Sequence, residues 1–409
     1  MRISTLQAFN NGVAGLQRNY ANATRTQEQI STGNRILTPA DDPVASVRLL
    51  QLDQQQNVLS QYNANLTAAK KSLTQEEVTL NSVNTVLQQV RELAVQAGNG
   101  GLSAEDRKSI AAELTEREDE LLSLMNTRNA RGEYLFSGFQ GKTQPFVRGA
   151  EGGYSYEGDE GQRKLQIASS LSIAISDNGK SVFENVTNAG RLTVDSLASL
   201  GFPVSPPLVS DEVAFSDYQG IRIAFDPVVE GKYEVFGTPK DGGAEISLGT
   251  SNLDNDSETD DKLVFGGVTL FVGGQPPVSS EIVVRAKVPA AEKQGILGTI
   301  VNLRSALESP TTNGNGVRDA VAVALTNLDH GMISVDAARG NIGARLNVIE
   351  TTQTDNEDVA LVNKSVQAEL RELDYAEALS RLSFQTVILE ATQQSYVKIS
   401  GLNLFNAMR

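Results

Sequence analysis

Apolar residues recur at alternating spacings of three and four near both ends of this chain of 409 residues, and no other feature restricts its fold as strongly. Near the start, the pattern runs through Leu6, Phe9, Val13, Leu16, Tyr20, Ala23, Gln27 and Ile30. It resumes at residues 52–97, a seam of about 68 Å at ~1.5 Å per residue. Near the end, a seven-residue repeat runs through Tyr375, Leu382, Leu389 and Tyr396. Such patterns are typical of helices that pair lengthwise, so we expect both chain ends to be helical.

The sequence ISTGNRILTPADDPVAS at residues 30–46 separates the first of these patterns from the second. Gly33 can end a helix because glycine adopts the left-handed conformation without a Cβ clash. Asp42 can cap the next helix, with Pro43 at its first position, where a missing N–H costs nothing. We therefore expect one helix to end and another to begin within about ten residues.

The middle of the chain has a different composition. Residues 141–290 hold nine of the 12 prolines and 19 of the 35 glycines, with 21 acidic and 12 basic residues. Short apolar runs such as IRIAF, LVFGGVTLFV and EIVVRAKV alternate with turn sequences, which is typical of β-hairpins. The stretch FPVSPP leaves open a division of this region into two subdomains.

These patterns predict an α+β fold: a long antiparallel helical bundle or coiled coil built from both chain ends, with a β-rich domain inserted in the middle. We expect residues 1–42 with 370–409 to form a terminal coiled-coil domain. Residues 43–140 with 291–369 would form a helical stem, and residues 141–290 the β-rich outer domain. At the C-terminal end of the stem, and continuing into the terminal domain, the predicted seam passes through Val359, Val362, Val366, Leu370 and Leu373.

Composition argues against several classes of function. A net charge of −15 disfavours both nucleic acid and an anionic membrane surface as partners. The chain has one histidine and no cysteine, which argues against a transition-metal site. No stretch is apolar for long enough to span a bilayer, and the start, MRISTLQAFNNG, predicts no secretory signal peptide.

The few candidate sites are weak. His330 has no suggested nucleophile nearby, so we interpret it as a surface or interface residue. The acidic run at residues 254–261 has Thr259 and Phe265 where a calcium-binding EF-hand loop needs Gly and Glu, which favours a solvated loop. The Gly314-Asn-Gly motif lacks the Lys-Ser/Thr pair of a phosphate-binding loop. Many carboxylates are present, but none can be paired from the sequence, and we predict no catalytic residue, metal or cofactor.

The terminal seams need a partner. A hairpin of two helices is marginally stable alone, so we expect neighbouring copies of the chain to cover the ends. The subunit-interface residues that we predict are Leu6, Phe9, Val13, Leu16, Tyr20, Ile30, Leu382, Leu389, Tyr396, Ile399, Leu402 and Phe405.

Three motifs resemble a known family, over roughly residues 1–146 and 320–409. RTQEQISTGNRILTPADDPVAS at 25–46 is similar to the segment that joins the axial helix to the stem helix in bacterial flagellins and their junction relatives. Its DDP, where flagellins usually have DDAAG, favours the hook–filament junction branch. TRNARGEYLFSGFQGKTQPF at 127–146 and the final LNLFNAMR resemble the same branch. The β-rich region shows no such resemblance.

The resemblance implies a structural protein that joins hook to filament by self-assembly of its terminal axial helices, and no enzymatic activity. Its implied partners are other copies, a neighbouring hook-associated protein, flagellin and an export chaperone. It implies an extracellular location in the flagellum, reached by type III export without a cleaved signal peptide. The alternatives are filament flagellin itself and, from other classes, a secreted β-domain adhesin or a hydrolase.

Overall fold

The computed structural model describes residues 2–150, 152–195, 200–254, 256, 259–287, 291–309 and 314–407, and within its terminal helices the side chains of 2–6, 8 and 399–407 are not described. The α-helices are α1 (Arg2–Thr32), α2 (Pro43–Ala97), α3 (Ala104–Met125), α4 (Glu212–Phe215), α5 (Ile296–Glu308), α6 (Gly314–Arg371) and α7 (Tyr375–Ala407). The strands are β1 (Phe146–Arg148), β2 (Tyr154–Tyr156), β3 (Lys164–Gln166), β4 (Ser172–Ala174), β5 (Leu192–Val194), β6 (Leu208–Val209), β7 (Tyr218–Phe225), β8 (Lys232–Pro239), β9 (Ile246–Asn252), β10 (Asp261–Phe265), β11 (Val268–Val272) and β12 (Glu281–Ala286).

Helices at both ends and antiparallel strands in the middle confirm the predicted α+β class. The chain divides into two compact units: Met1–Ala64 with Thr351–Arg409, and Asn65–Glu350. Both divisions fall inside a long helix, whereas the sequence predicted domain ends at the break near residue 42 and near residue 370. None of the described helices carries an apolar stretch long enough to cross a bilayer.

In the first unit, the predicted break between helices is confirmed. α1 ends at Thr32, and Gly33 follows with φ +69°. The Asp42 carboxylate accepts a hydrogen bond from the Ala45 backbone N–H at 3.0 Å, and α2 begins at Pro43. Capping is decided by a few adjacent residues, which is why the sequence could predict it.

The predicted seam at 359–373 is wrong in its first part. Val359 and Val362 are exposed, while Asn356 and Asn363 are turned inward and buried. Asn356 Nδ2 donates a hydrogen bond to Asn63 Oδ1 on α2 at 3.3 Å. Because the facing helix offers an amide here rather than an apolar group, polar side chains occupy the inner face of α6 and the valines lie outside.

The second unit contains two hydrophobic cores. In the first core, fully buried leucines of α2 pack with α3, α5 and α6; the main contributors are Leu66, Leu73, Leu80, Leu87, Leu114, Leu121, Leu303, Leu328 and Ile342. The two small hairpins β1–β2 and β3–β4 also belong to this core. Phe183 packs edge-to-face with Phe136 and Phe146, at centroid distances of 5.0 and 5.8 Å.

The second core lies between a five-stranded antiparallel sheet, in the order β5-β12-β7-β8-β9, and a three-stranded sheet, β10-β11-β6. Ile223 of β7 pairs with Ile282 of β12 on one side and with Val235 of β8 on the other, and all three side chains are buried. This core begins at Leu192, about 50 residues after the boundary predicted at residue 141. Strands of three residues cannot bury a core of their own, so residues 146–186 use the helices instead.

Candidate assembly surface

The terminal helices α1 and α7 pack against each other in an antiparallel pair. The rings of Phe9 and Tyr396 lie 5.3 Å apart, centroid to centroid. Further along, Asn19 Nδ2 donates a hydrogen bond to Thr392 Oγ1 at 3.2 Å. The heptad seams at the two ends of the chain therefore meet within a single chain.

The predicted interface residues fall into three groups. Six are half-buried in the helix pair: Val13, Leu16, Ile30, Leu382, Leu389 and Tyr396. Phe9 and Tyr20 are exposed, although Phe9 touches Tyr396 with one face. Leu6, Ile399, Leu402 and Phe405 lie outside the residues whose side chains the structure describes. Contact of any of these residues with a second copy remains a prediction.

A second apolar stripe on α7 was missed by the sequence reasoning. Phe384 is 72% exposed and Val387 is 65% exposed, with Ile388 beside them. The spacing of three and four residues between Phe384, Val387 and Ile388 is the signal that could have predicted this stripe. The stronger seven-residue repeat predicted an interface on the opposite side of the helix instead. An apolar stripe that none of the described residues covers is a surface suited to another protein.

The part of α2 that belongs to the first unit carries a similar stripe. Val44, Val47, Leu50 and Val58 lie along one side of the helix, and all are exposed. With Val359 and Val362 of α6, these residues give the outside of the first unit a set of exposed apolar groups, in addition to the apolar residues buried inside it, such as Leu49 and Leu59.

The connections between the terminal pair and the stem helices are tied to each other. The Arg35 N–H donates to the Arg371 carbonyl at 2.7 Å, and the Leu373 N–H donates to the Gly33 carbonyl at 3.0 Å. These bonds flank an antiparallel bridge between Asn34 and Glu372. The two connections are therefore bonded to each other and form one joint rather than two independent linkers.

Asp41 organises the longer of the two connections. Its carboxylate accepts hydrogen bonds from the N–H groups of Leu37 and Thr38 at 2.8 and 2.9 Å and from Thr38 Oγ1 at 2.9 Å. It also forms an ion pair with Arg25 of α1. A single carboxylate thus links the turn to the last part of the terminal helix, so the joint has a defined geometry.

Strongly perturbed carboxyl groups often mark active sites, and Glu76 is such a group. Burial raises its pKa to about 8, and the nearby Asp177 carboxylate adds to this rise. Glu76 Oε1 accepts the Asp177 N–H at 2.9 Å, while Arg345 binds the Asp177 carboxylate through both of its terminal nitrogens. Glu76 is only 1% exposed, so this cluster is closed to a substrate and serves packing.

The remaining candidates are also structural. His330 Nδ1 and Nε2 lie 3.1 and 3.3 Å from the backbone oxygens of Thr187 and Ser210, so the ring joins α6 to the β-rich part of its own unit. Within the described part of the acidic run, the Asp254 N–H donates to Asp261 Oδ1; residues 255, 257 and 258 lie outside the description. Among the described residues, no three carboxylate or histidine side chains are placed to hold a metal.

Comparison with known proteins shows which class the N-terminal part of the chain is similar to. Residues 3–141 match the family described as the bacterial flagellin N-terminal helical region. Flagellin B of Vibrio anguillarum is 24% identical over 94% of this chain and 90% of its own.

A narrower similarity is to flagellar hook-associated protein 3. The Escherichia coli protein of that name is 35% identical over 199 residues, which are 49% of this chain and 62% of the relative. The crystal structure of hook-associated protein 3 from Legionella pneumophila is 26% identical, with a TM-score of 0.61 over 78% of this chain and 98% of that one. These matches confirm the resemblance that the sequence motifs indicated.

Proposed function

We propose that this protein is a structural component of the bacterial flagellum that joins the hook to the filament, and that its copies assemble through α1, α7 and the first turns of α2. The similarity to hook-associated protein 3 supports the class. The observation that carries the assembly surface is the exposed apolar stripe at Phe384 and Val387, on the side of α7 opposite the intrachain seam.

Burial of apolar area between copies would supply the driving force. Each large apolar side chain that becomes fully covered contributes roughly 1.5–3 kcal/mol. The exposed stripes on α7 and α2 hold several such side chains. Other copies of the chain, and hook and filament proteins with similar helices, are the partners that fit these faces.

A substitution pair tests this surface. In a protein with Phe384→Ser and Val387→Ser, we expect addition to isolated hooks to be lost while the thermal melt stays unchanged, because both side chains are exposed in the monomer. The matched control is Val213→Ser with Val228→Ser, which removes side chains that are 82% and 84% exposed on the β-rich part. Equal hook binding by both variants would place the contact elsewhere.

Filament flagellin is the second candidate, because the match to Flagellin B spans nearly the whole chain. The two functions differ in the length of the assembly. Flagellin added to hooks or filament seeds elongates for as long as monomer lasts, whereas a junction protein stops after a short collar. Electron microscopy of hooks incubated with excess protein separates them, and we expect the short collar.

We further propose that the chain acts as a structural part without catalysis, and that it binds neither nucleic acid nor membrane. It would leave the cell by the flagellar export route without a cleaved signal peptide, held beforehand by a chaperone that covers the exposed helix faces. Proteins recovered from flagella and from the cytoplasm should then share one N-terminus. A shorter N-terminus on the flagellar form would contradict uncleaved export.

A further inference from the structure

In the first unit, the pair formed by α2 and α6 carries amides in two inner layers, on either side of the buried Leu59, where a coiled coil normally carries apolar side chains. Asn356 and Asn363 are 8% and 7% exposed, and Gln56 and Asn63 are half-buried. We call these four residues the amide seam. They form two layers, because 56 and 63 are seven residues apart on α2 and 356 and 363 are seven apart on α6.

The register of the two helices brings each layer together. Asn63 is bonded to Asn356, so in an antiparallel pair Gln56 lies opposite Asn363. Gln367 Nε2 donates to Asp53 Oδ1 at 3.0 Å, which fits the same register. Among the described residues, the Gln56 Oε1 acceptor and the Asn363 Nδ2 donor have no hydrogen-bond partner. The second layer therefore holds a complementary acceptor and donor that have not paired.

Burial of the four amides adds little to the free energy of keeping the seam closed. Amides lose hydration on burial and regain it when they are exposed, so opening the seam exchanges one set of hydrogen bonds for another. Further along α2, in the second unit, fully buried Leu66, Leu73, Leu80 and Leu87 would expose apolar area on opening. Opening the seam would also expose Leu59, but there the leucine alternates with amides, so local separation costs less at the seam than along the leucines.

We propose that the amide seam is a compliant segment, where α2 and α6 separate and re-form locally while the leucine-lined stretch stays closed. This gives the helix pair a fixed place to bend. The proposal does not depend on the function proposed above, because it concerns the isolated chain.

Hydrogen exchange on the full-length monomer tests it. We expect backbone amides at 53–63 and 356–367 to exchange roughly tenfold faster than those at 66–94. Gln56→Leu with Asn363→Leu should slow exchange at these segments by about tenfold, because apolar layers must now be exposed for opening. Asn63→Leu with Asn356→Leu should act in the same direction and provides a second variant should the first fail to fold.

The matched control is Gln55→Leu with Lys364→Leu, which adds leucines at neighbouring exposed positions on the same helices. It should leave exchange at the seam unchanged. Equal protection of the seam and the leucine-lined stretch would overturn the proposal. So would slowing by the control as large as that by the seam variants.

Discussion

The ring of Phe9 lies against the ring of Tyr396, with the centroids 5.3 Å apart and the planes at 45°. This contact joins residues near the two ends of the chain. Both rings keep part of their surface open, and the large apolar side chains Val13, Leu16 and Leu389 are half-buried, whereas smaller residues such as Ala23 and Ala378 are buried. Each of the two helices therefore has a partner within the chain, and apolar surface remains exposed for contact with a second copy.

Incomplete burial predicts that the terminal pair is the least protected part of the isolated protein. Hydrogen exchange at residues 9–32 and 375–398 should be faster than at residues 66–94, since the latter surround fully buried leucines. Assembly onto hooks should remove the difference. Strong protection of the terminal helices in dilute monomer would show that they need no partner.

The β-rich part should divide at Leu192. A fragment of residues 191–288 is expected to melt cooperatively with a β-type circular dichroism spectrum, because its two sheets enclose their own core. A fragment of residues 141–190 should remain unfolded, because Phe146 and Phe183 are buried against the helices. Cooperative folding of the shorter fragment would contradict this division.

Glu76 predicts a pH dependence of stability. Its pKa is raised to about 8 in the folded chain, so the native state holds a proton that the unfolded state has released. Its contribution to stability is complete below pH ~4.5 and is lost between pH ~4.5 and about 8, with a slope of up to about 1.4 kcal/mol per pH unit. Urea melts of Glu76→Gln from pH 5 to 9 should show a smaller loss than the parent. Glu77→Gln, at the adjacent half-buried position, should follow the parent curve.

Glu118 predicts a large cost on substitution. This fully buried carboxylate accepts hydrogen bonds from Arg148 Nη2 at 2.8 Å and the Tyr154 hydroxyl at 2.5 Å, and it lies 3.3 Å from Arg304 Nε. Glu118→Ala leaves two guanidinium groups without this counter-charge, and we expect a loss of about 3–5 kcal/mol in the free energy of unfolding. Asp119→Ala, at the exposed neighbour that also binds Arg148, should cost far less. Comparable losses would mean that burial of the charge is unimportant.

Local signals in the sequence predicted the parts of the fold that local interactions decide. Gly33, Asp42 and Pro43 define the break because capping depends on adjacent residues. The seam predicted along residues 52–97 is confirmed by the burial of Leu66, Leu73 and Leu80. The sequence did not predict which side of α6 faces α2 near residue 360, since Asn363 is turned inward only because α2 offers amides at that level. The boundary at Leu192 was missed for a similar reason. Phe183 belongs to the helical core through contacts with residues far away in the sequence.

The central claim is that the terminal helices carry assembly, and truncation tests it most directly. A protein without residues 390–409 lacks Tyr396 and thus the ring contact with Phe9, while both cores of the second unit remain. The measurement is the fraction of isolated hooks that gain protein, counted by electron microscopy, with a thermal melt of the same sample. We expect the melt of the second unit to be unchanged and addition to hooks to be abolished. Normal addition to hooks by the truncated protein would contradict the account.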